Sequence, residues 1–158
     1  MADRQAYEQA ANDLLPTLYK IAYGILRSDA DARDAVQQAL LKAWEKRDTA
    51  RQDAFRGFLT RILINECRNI QRQRMRVCPA DLTQVAIYDE SPDYRDLYKA
   101  LNDLPEALRL AVMLKYLHDY SEKEAARALR IPVTTYKSRL HRARSLLRKQ
   151  LSQGVIFE

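Results

Sequence analysis

Near the end of the chain, Lys137, Arg139, Arg142, Arg144, Arg148 and Lys149 are interleaved with Tyr136, Leu140, Ala143, Leu147 and Leu151 at helical spacing. On a helix this pattern turns an apolar stripe inward and leaves the cations outside. Cations displayed that way neutralise phosphates. The first turn of the same segment carries Thr134, Thr135 and Lys137, whose hydroxyls and ammonium, together with the free amides of a helix start, can meet a phosphate oxygen or a base edge. This is the chemistry of positioning, not of bond breaking. The competing reading is a solvated basic helix in an ordinary bundle. Nothing else in the chain suggests catalysis. His118 and His141 stand alone, and Cys67 and Cys78 are not in a CxxC arrangement, so neither a metal-ligand spacing nor an acid, base or nucleophile set forms. No metal, no cofactor and no enzymatic activity are expected, and both cysteines read as reduced thiols.

The distribution of charge extends the argument. The formal net charge is +6 over 158 residues, and the cations are concentrated in residues 51–78 and 125–158, whereas 1–50 and 79–124 are acidic or close to neutral. Two basic blocks on separate helical units favour a polyanion touched at two places. The chain has Gly 3 and Pro 5, too few obligatory turns for a β-rich fold, and an all-α protein of two small domains is expected. No apolar run approaches the length of a membrane span. The opening Met1-Ala-Asp-Arg-Gln lacks the basic and apolar stretches of a secretion signal, so a soluble, cytoplasmic protein with no membrane insertion is the expectation.

The elements that must position these residues follow from the apolar rhythm. Leu14, Leu15, Leu18, Ile21, Ala22, Ile25 and Leu26 mark one helical face. Ser28 or Asp29 caps a second helix with Ala35, Ala39, Leu40, Ala43 and Trp44. Residues Arg47 to Asp53 have no apolar rhythm and read as a loop. A third helix turns Phe55, Leu59, Ile62, Leu63, Cys67 and Ile70 inward and leaves Arg61, Arg68, Arg72 and Arg76 outside. Residues 77–93, with Cys78-Pro79 and Ser91-Pro92, read as a flexible linker between a first domain, 1–76, and a second, 94–158. The second domain starts with Tyr94, Leu97, Tyr98 and Leu101. A helix with Pro105 in its first position and Leu108, Ala111 and Leu114 on its apolar face follows. Ser121-Glu-Lys-Glu124 is a capping box. The short helix behind it carries Ala125, Ala126 and Leu129, ends at Arg130-Ile-Pro132, and precedes the basic helix, which together make a helix-turn-helix with a DNA-reading second helix. The apolar Val155-Ile-Phe157 tail either packs on the last helix or is a disordered end.

These segments resemble a known family. Leu104-Pro-Glu-Ala-Leu-Arg109, Tyr120-Ser-Glu-Lys-Glu-Ala-Ala126 and Thr135-Tyr-Lys-Ser-Arg-Leu-His-Arg-Ala-Arg144 are similar to region 4 of the extracytoplasmic-function (ECF) sigma factors of bacterial RNA polymerase. Asp34-Ala-Val-Gln-Gln-Ala-Leu-Leu-Lys-Ala-Trp44 and Phe55-Arg-Gly-Phe-Leu-Thr-Arg-Ile-Leu-Ile-Asn65 resemble the successive helices of that family's region 2. The resemblance covers about residues 10–76 and 95–150, in the family's order.

The resemblance implies a transcription initiation factor whose partners are core RNA polymerase, promoter DNA and an anti-sigma factor. It implies a polymerase-binding set of Asp34, Gln37, Gln38 and Leu41. Asn65, Arg68, Asn69 and Arg72, with the 47–53 loop, would face the separated strand of the minus-ten element. Thr134, Thr135, Lys137, Ser138, Arg139 and Arg142 would meet the minus-thirty-five element. Trp44 reads as core in preference to interface, and Asn65 has a second reading as a polar residue at a helix crossing. Against the family pattern, Gln38 replaces a usual acid, as does Arg33, and Phe58 replaces a frequent Trp. Arg130 stands where Gly is usual, so the turn either avoids a left-handed backbone or holds an arginine in one. Thr134 replaces another Gly, and Tyr136 a smaller aliphatic residue. Two rival readings remain: a free-standing DNA-binding regulator, and a helical protein that mimics a sigma factor and binds only its regulators.

Overall fold

Helix accounts for nearly all of the described structure. The computed structural model describes residues 4–49, 54–77 and 95–151, and among them there is no strand. The readings made for the 77–93 linker, Tyr94 and the Val155-Ile-Phe157 tail fall almost wholly outside the described residues. The chain divides into two compact units, one centred on its first three helices and the other on its last four.

In the first unit α1 spans Arg4–Leu26, α2 Asp29–Glu45 and α3 Phe55–Val77. Each packs on the other two. The core is aliphatic and small: Leu18, Ile21, Ala22 and Leu26 of α1 meet Ala32, Ala35, Ala39 and Ala43 of α2 and Leu59, Leu63, Ile64 and Cys67 of α3, all buried. The alanines of α2 let its backbone approach both neighbours. Helix α1 begins ten residues before the rhythm of leucines suggests, because Tyr7 and Ala11 are also buried. Tyr7 ties the three helices together. Its hydroxyl donates to the Leu40 carbonyl at 2.6 Å, and its ring meets Trp44 and Phe55 edge-on at 5.1 and 5.6 Å. Ile62 and Ile70, read as inward, are only half-buried, while Ile64, Thr60 and Glu66 are buried in their place. Thr60 is accommodated by donating its hydroxyl back to the Arg56 carbonyl at 2.7 Å, and Glu66 by an ion pair with Lys42 across α2 and α3.

Helix α1 ends at Arg27, whose φ is 52° and whose amide returns to the Tyr23 carbonyl at 2.8 Å, a left-handed cap. Ser28 caps α2 through its side-chain oxygen, which accepts from the Asp31 amide at 3.2 Å. The segment after α2, read as a loop, opens with a 3-10 turn over Arg47–Thr49.

In the second unit α4 spans Arg95–Asp103, α5 Glu106–Val112, α6 Glu122–Leu129 and α7 Val133–Leu151. Pro105 is not the first helical residue; it stands one place earlier, in extended conformation, and its carbonyl accepts from Arg109. Helix α5 continues as a π turn over Met113–Leu117, which no periodicity announced. That turn closes on Asp119, with φ 57° and the Tyr120 amide bound to the Leu114 carbonyl at 2.8 Å. The capping box forms as read: Ser121 Oγ accepts from the Glu124 amide and Glu124 Oε1 from the Ser121 amide, both at 3.0 Å. Helix α6 ends in a Schellman motif, in which the Arg130 amide binds the Arg127 carbonyl and the Ile131 amide binds that of Ala126. Arg130 takes the left-handed conformation, at φ 60°.

Candidate nucleic-acid interface

The reading helix is anchored before it is charged. Tyr136, Leu140, Ala143, Leu147 and Leu151 of α7 are buried, and Val133 is half-buried. Tyr136 therefore does not reach a ligand. It lies wholly in the core, where its hydroxyl donates to the Ala111 carbonyl at 2.6 Å. Burial holds its phenol far above the ordinary tyrosine range. Ala111 lies just before the π turn, where the change of helical register alters the hydrogen bonding of the preceding carbonyls.

With that face fixed, Thr134, Lys137, Ser138 and Arg142 are exposed, and Thr135 and Arg139 half-exposed. Positions 134, 138 and 142 recur every fourth residue and form one ridge, and 135 and 139 form the row beside it. Arg144 leaves this surface. Its Nε donates to the Tyr116 hydroxyl at 2.8 Å and its guanidinium lies 5.6 Å from that ring. Tyr116 belongs to the π turn, 28 residues before Arg144, so no local pattern signals this pairing.

On α2, Asp34, Gln37, Gln38 and Leu41 are all exposed. Their spacing puts them on one face, and Leu41, 58% exposed, is a large apolar side chain left open to solvent within it. Arg33 lies beside them, bound to Asp29 at 3.2 Å. The Asp29 carboxyl is held below its usual range chiefly by the hydrogen bond it accepts from Tyr19. Trp44 is half-buried, packed on Tyr7 and covered by the Arg47 guanidinium at 3.9 Å, which also donates to the Trp44 carbonyl at 2.9 Å.

On α3, Asn65 and Arg72 are exposed and Arg68 and Asn69 half-exposed. Asn65 is thus not a polar residue at a helix crossing; that place belongs to Glu66. The Asn69 side-chain oxygen accepts from Arg72. The set forms one stripe, and Arg76 extends it by one turn. Arg74 points elsewhere, donating to Asp31 through Nε at 3.0 Å and to the Leu26 carbonyl at 2.9 Å. Among the described residues no group of side chains could hold a metal ion, and no helix is long and apolar enough to cross a membrane.

A sigma-70 region 2 model matches residues 11–77 and a sigma-70 region 4 model residues 94–147. The chain is similar to the ECF RNA polymerase sigma factor SigE of Mycolicibacterium smegmatis, with 29% identity over 86% of this chain and 58% of that protein, so it spans little more than half of that relative. It shares 26% identity with the RNA polymerase sigma factor SigV of Bacillus subtilis, over 85% of this chain and 84% of that one. With the ECF RNA polymerase sigma-E factor of Escherichia coli K12 it shares 29%, over 90% and 87%. In fold it is similar to the sigma factor RpoE of Bartonella quintana, solved in complex with the anti-sigma factor NepR, with a TM-score of 0.76, 28% identity and coverage of 95% of this chain and 99% of that one.

Proposed function

The chain belongs to the sigma-70 family and is an ECF sigma factor, and from that premise we propose that it binds core RNA polymerase and directs it to start transcription at particular promoters. The observation that carries this reading is the order of two sigma regions along one chain, each with an outward surface of the matching chemistry. In this reading residues 1–76 form the polymerase-binding and minus-ten domain, 77–93 the linker and 94–158 the minus-thirty-five domain. Asp34, Gln37, Gln38 and Leu41 form the polymerase-facing patch, an amide-rich face around one exposed leucine that suits a mixed apolar and polar interface. The stripe of Asn65, Arg68, Asn69 and Arg72 offers amide donors and acceptors with guanidinium groups to a separated strand. Thr134, Thr135, Lys137, Ser138, Arg139 and Arg142 enter the major groove. The protein acts by positioning and not as an enzyme, and it works in the cytoplasm with the polymerase. An anti-sigma factor is a further partner, since the similar Bartonella protein was solved with one.

Transcription in vitro with core polymerase on a genomic library tests the reading. Start sites should appear only when the chain is added. Asp34→Arg combined with Gln37→Ala should abolish co-purification with core polymerase while helix content is unchanged. Lys137→Ala, Arg139→Ala and Arg142→Ala should each weaken initiation or shift promoter preference. A bound arginine or lysine that reads a base should cost roughly 1–3 kcal/mol at one position, and one that holds a phosphate should lower the salt slope by about one. Full activity and unchanged preference in all three would remove α7 as the reading element. Tight, sequence-specific duplex binding without polymerase would favour a free-standing regulator, and binding to polymerase without initiation a mimic.

A further inference from the structure

The second unit has an open apolar groove that the proposed reading surface on α7 does not use. Leu97 and Leu101 of α4, Leu147 of α7, and Tyr116 and Leu117 of the π turn surround a cavity of about 420 Å³. Tyr116 and Leu117 are 55% and 40% exposed, so large apolar side chains face water at that end. Two hydrogen bonds fix the ends of the groove. Gln150 donates to Asp103 at 2.9 Å and holds the end of α4 against the last turn of α7. Arg144 Nε donates to the Tyr116 hydroxyl at 2.8 Å and holds the π turn against α7 nearly two turns earlier. The groove thus runs back along α7 from the neighbourhood of its last residue, Leu151. Arg144 and Arg148, both exposed, line its rim. The Tyr116 hydroxyl takes only one of the N–H donors of Arg144, which leaves the terminal amino groups for an acceptor.

Beyond Leu151 the sequence continues Ser152-Gln-Gly-Val-Ile-Phe-Glu158. A polar stretch ending in Gly154, a residue suited to reversing the chain after a helix, precedes three large apolar residues and an acid. Glu158 is the only acidic residue after Glu124. We infer that residues 155–158 fold back along α7 and occupy this groove, with Phe157 at the Tyr116–Leu117 end and Glu158 on the Arg144 guanidinium. The lengths match. From Leu151 back to Arg144 the helix runs about 10 Å, and an extended chain from residue 155 to 158 covers about 10 Å. The order of residues matches as well: the apolar side chains meet the leucines first and the acid arrives at the arginine. The chain's own segment is favoured over a separate partner because so short a tether keeps it at about millimolar effective concentration. Any protein that needs this groove must first displace it. Docking of the segment is independent of the proposed function.

The test follows isotope-labelled leucine methyl groups of the full chain by NMR. The Phe157 ring should show through-space contacts to the methyls of Leu97, Leu101 or Leu117. Ile156→Ser with Phe157→Ser should abolish those contacts and move those methyl signals, while the methyls of Leu18 and Leu63 in the first unit keep their positions. An amidated peptide of residues 152–158, titrated into that double variant, should return the signals toward their original positions. The peptide carrying Glu158→Arg should bind about threefold more weakly or worse, and Arg144→Glu in the protein should restore its affinity. Missing Phe157 contacts in the unaltered chain, or methyl signals that do not move in the double variant, would overturn the inference. Contacts that grow with protein concentration would give the groove to the segment of a second copy and overturn it too. Equal binding of both peptides by the double variant would remove Glu158 from Arg144.

Discussion

Tyr136 pins α7 to the backbone of α5 through the hydrogen bond its hydroxyl donates to the Ala111 carbonyl. Its spacing with Leu140 and Ala143 placed it inward, but its hydrogen-bond partner lies 25 residues away on the α5 backbone, beyond the reach of any local pattern. Tyr136→Phe should leave the buried Ala111 carbonyl without that donor and cost about 1–3 kcal/mol at neutral pH. The pH dependence has a definite sign. Burial raises the folded phenol above the ordinary tyrosine value of 10.0, so the native state keeps a proton that the unfolded chain releases. The stabilisation is fully present below about pH 10 and is lost as pH rises beyond it. Urea unfolding of the two proteins from pH 7 to 11 checks this. The gap should be constant up to about pH 10 and then narrow, and a gap that stays constant to pH 11 would mean that the phenol titrates alike in both states. Glu66 illustrates the opposite kind of miss. A carboxylate between Leu63 and Cys67 gives no sign of being inward until Lys42 is seen beside it.

At the scale of elements, the sequence declared what local chemistry determines. The Ser121–Glu124 box formed as read, and of the two caps open to α2, Ser28 and Asp29, the structure uses Ser28, because each involves residues three apart that bind the nearest free amides. The first ten residues of α1 were missed because their buried side chains, Tyr7 and Ala11, are isolated among polar ones. The π turn was missed because an inserted half-step in hydrogen bonding leaves hardly any mark on an apolar pattern over five residues. The cap yields a prediction of its own. Ser121→Ala should cost about 1 kcal/mol and lower the melting temperature of the second unit by a few degrees. Ser121→Ala and Glu124→Ala together should cost less than the sum of the two, since each oxygen serves the other's amide. Strict additivity in a double-mutant cycle would show the two bonds to be independent.

For the whole molecule, the proposed function has each of two small units present a limited surface to DNA. When one long site is shared between two modules, affinity depends on how well their spacing is held. The free chain should therefore bind promoter duplex only at micromolar concentration or weaker near physiological salt, with a steep salt dependence, and core polymerase should raise both affinity and selectivity. Fluorescence anisotropy with cognate and scrambled duplexes, with and without core, measures the difference. Nanomolar selective binding by the chain alone would contradict the division of labour proposed for the two regions. This level was legible from the alternation of charge along the chain and the order of its motifs. The side chains proposed to contact bases can be named only as a set, because an exposed ridge on α7 has the same spacing whether it reads an edge or grips a phosphate.

Three of the helix ends turn through a left-handed residue, and the residues there are Arg27, Asp119 and Arg130; no described glycine has a positive φ. A side chain at such a place costs roughly 1–2 kcal/mol relative to an unstrained backbone, of which glycine would recover part while losing some to the freedom of its unfolded chain. The protein thus lies below the stability its own backbone would permit, with the shortfall spread over corners that separate adjacent helices. Such corners make an adaptive reserve: a lineage under heat could exchange any of them for glycine without disturbing a helix or the core. The exchange is open to selection only where the side chain has no other task. At Arg27, a gain in stability would come with the loss of a cation laid against the Tyr23 ring, so backbone ease and that aromatic contact would pull the single position in opposite directions.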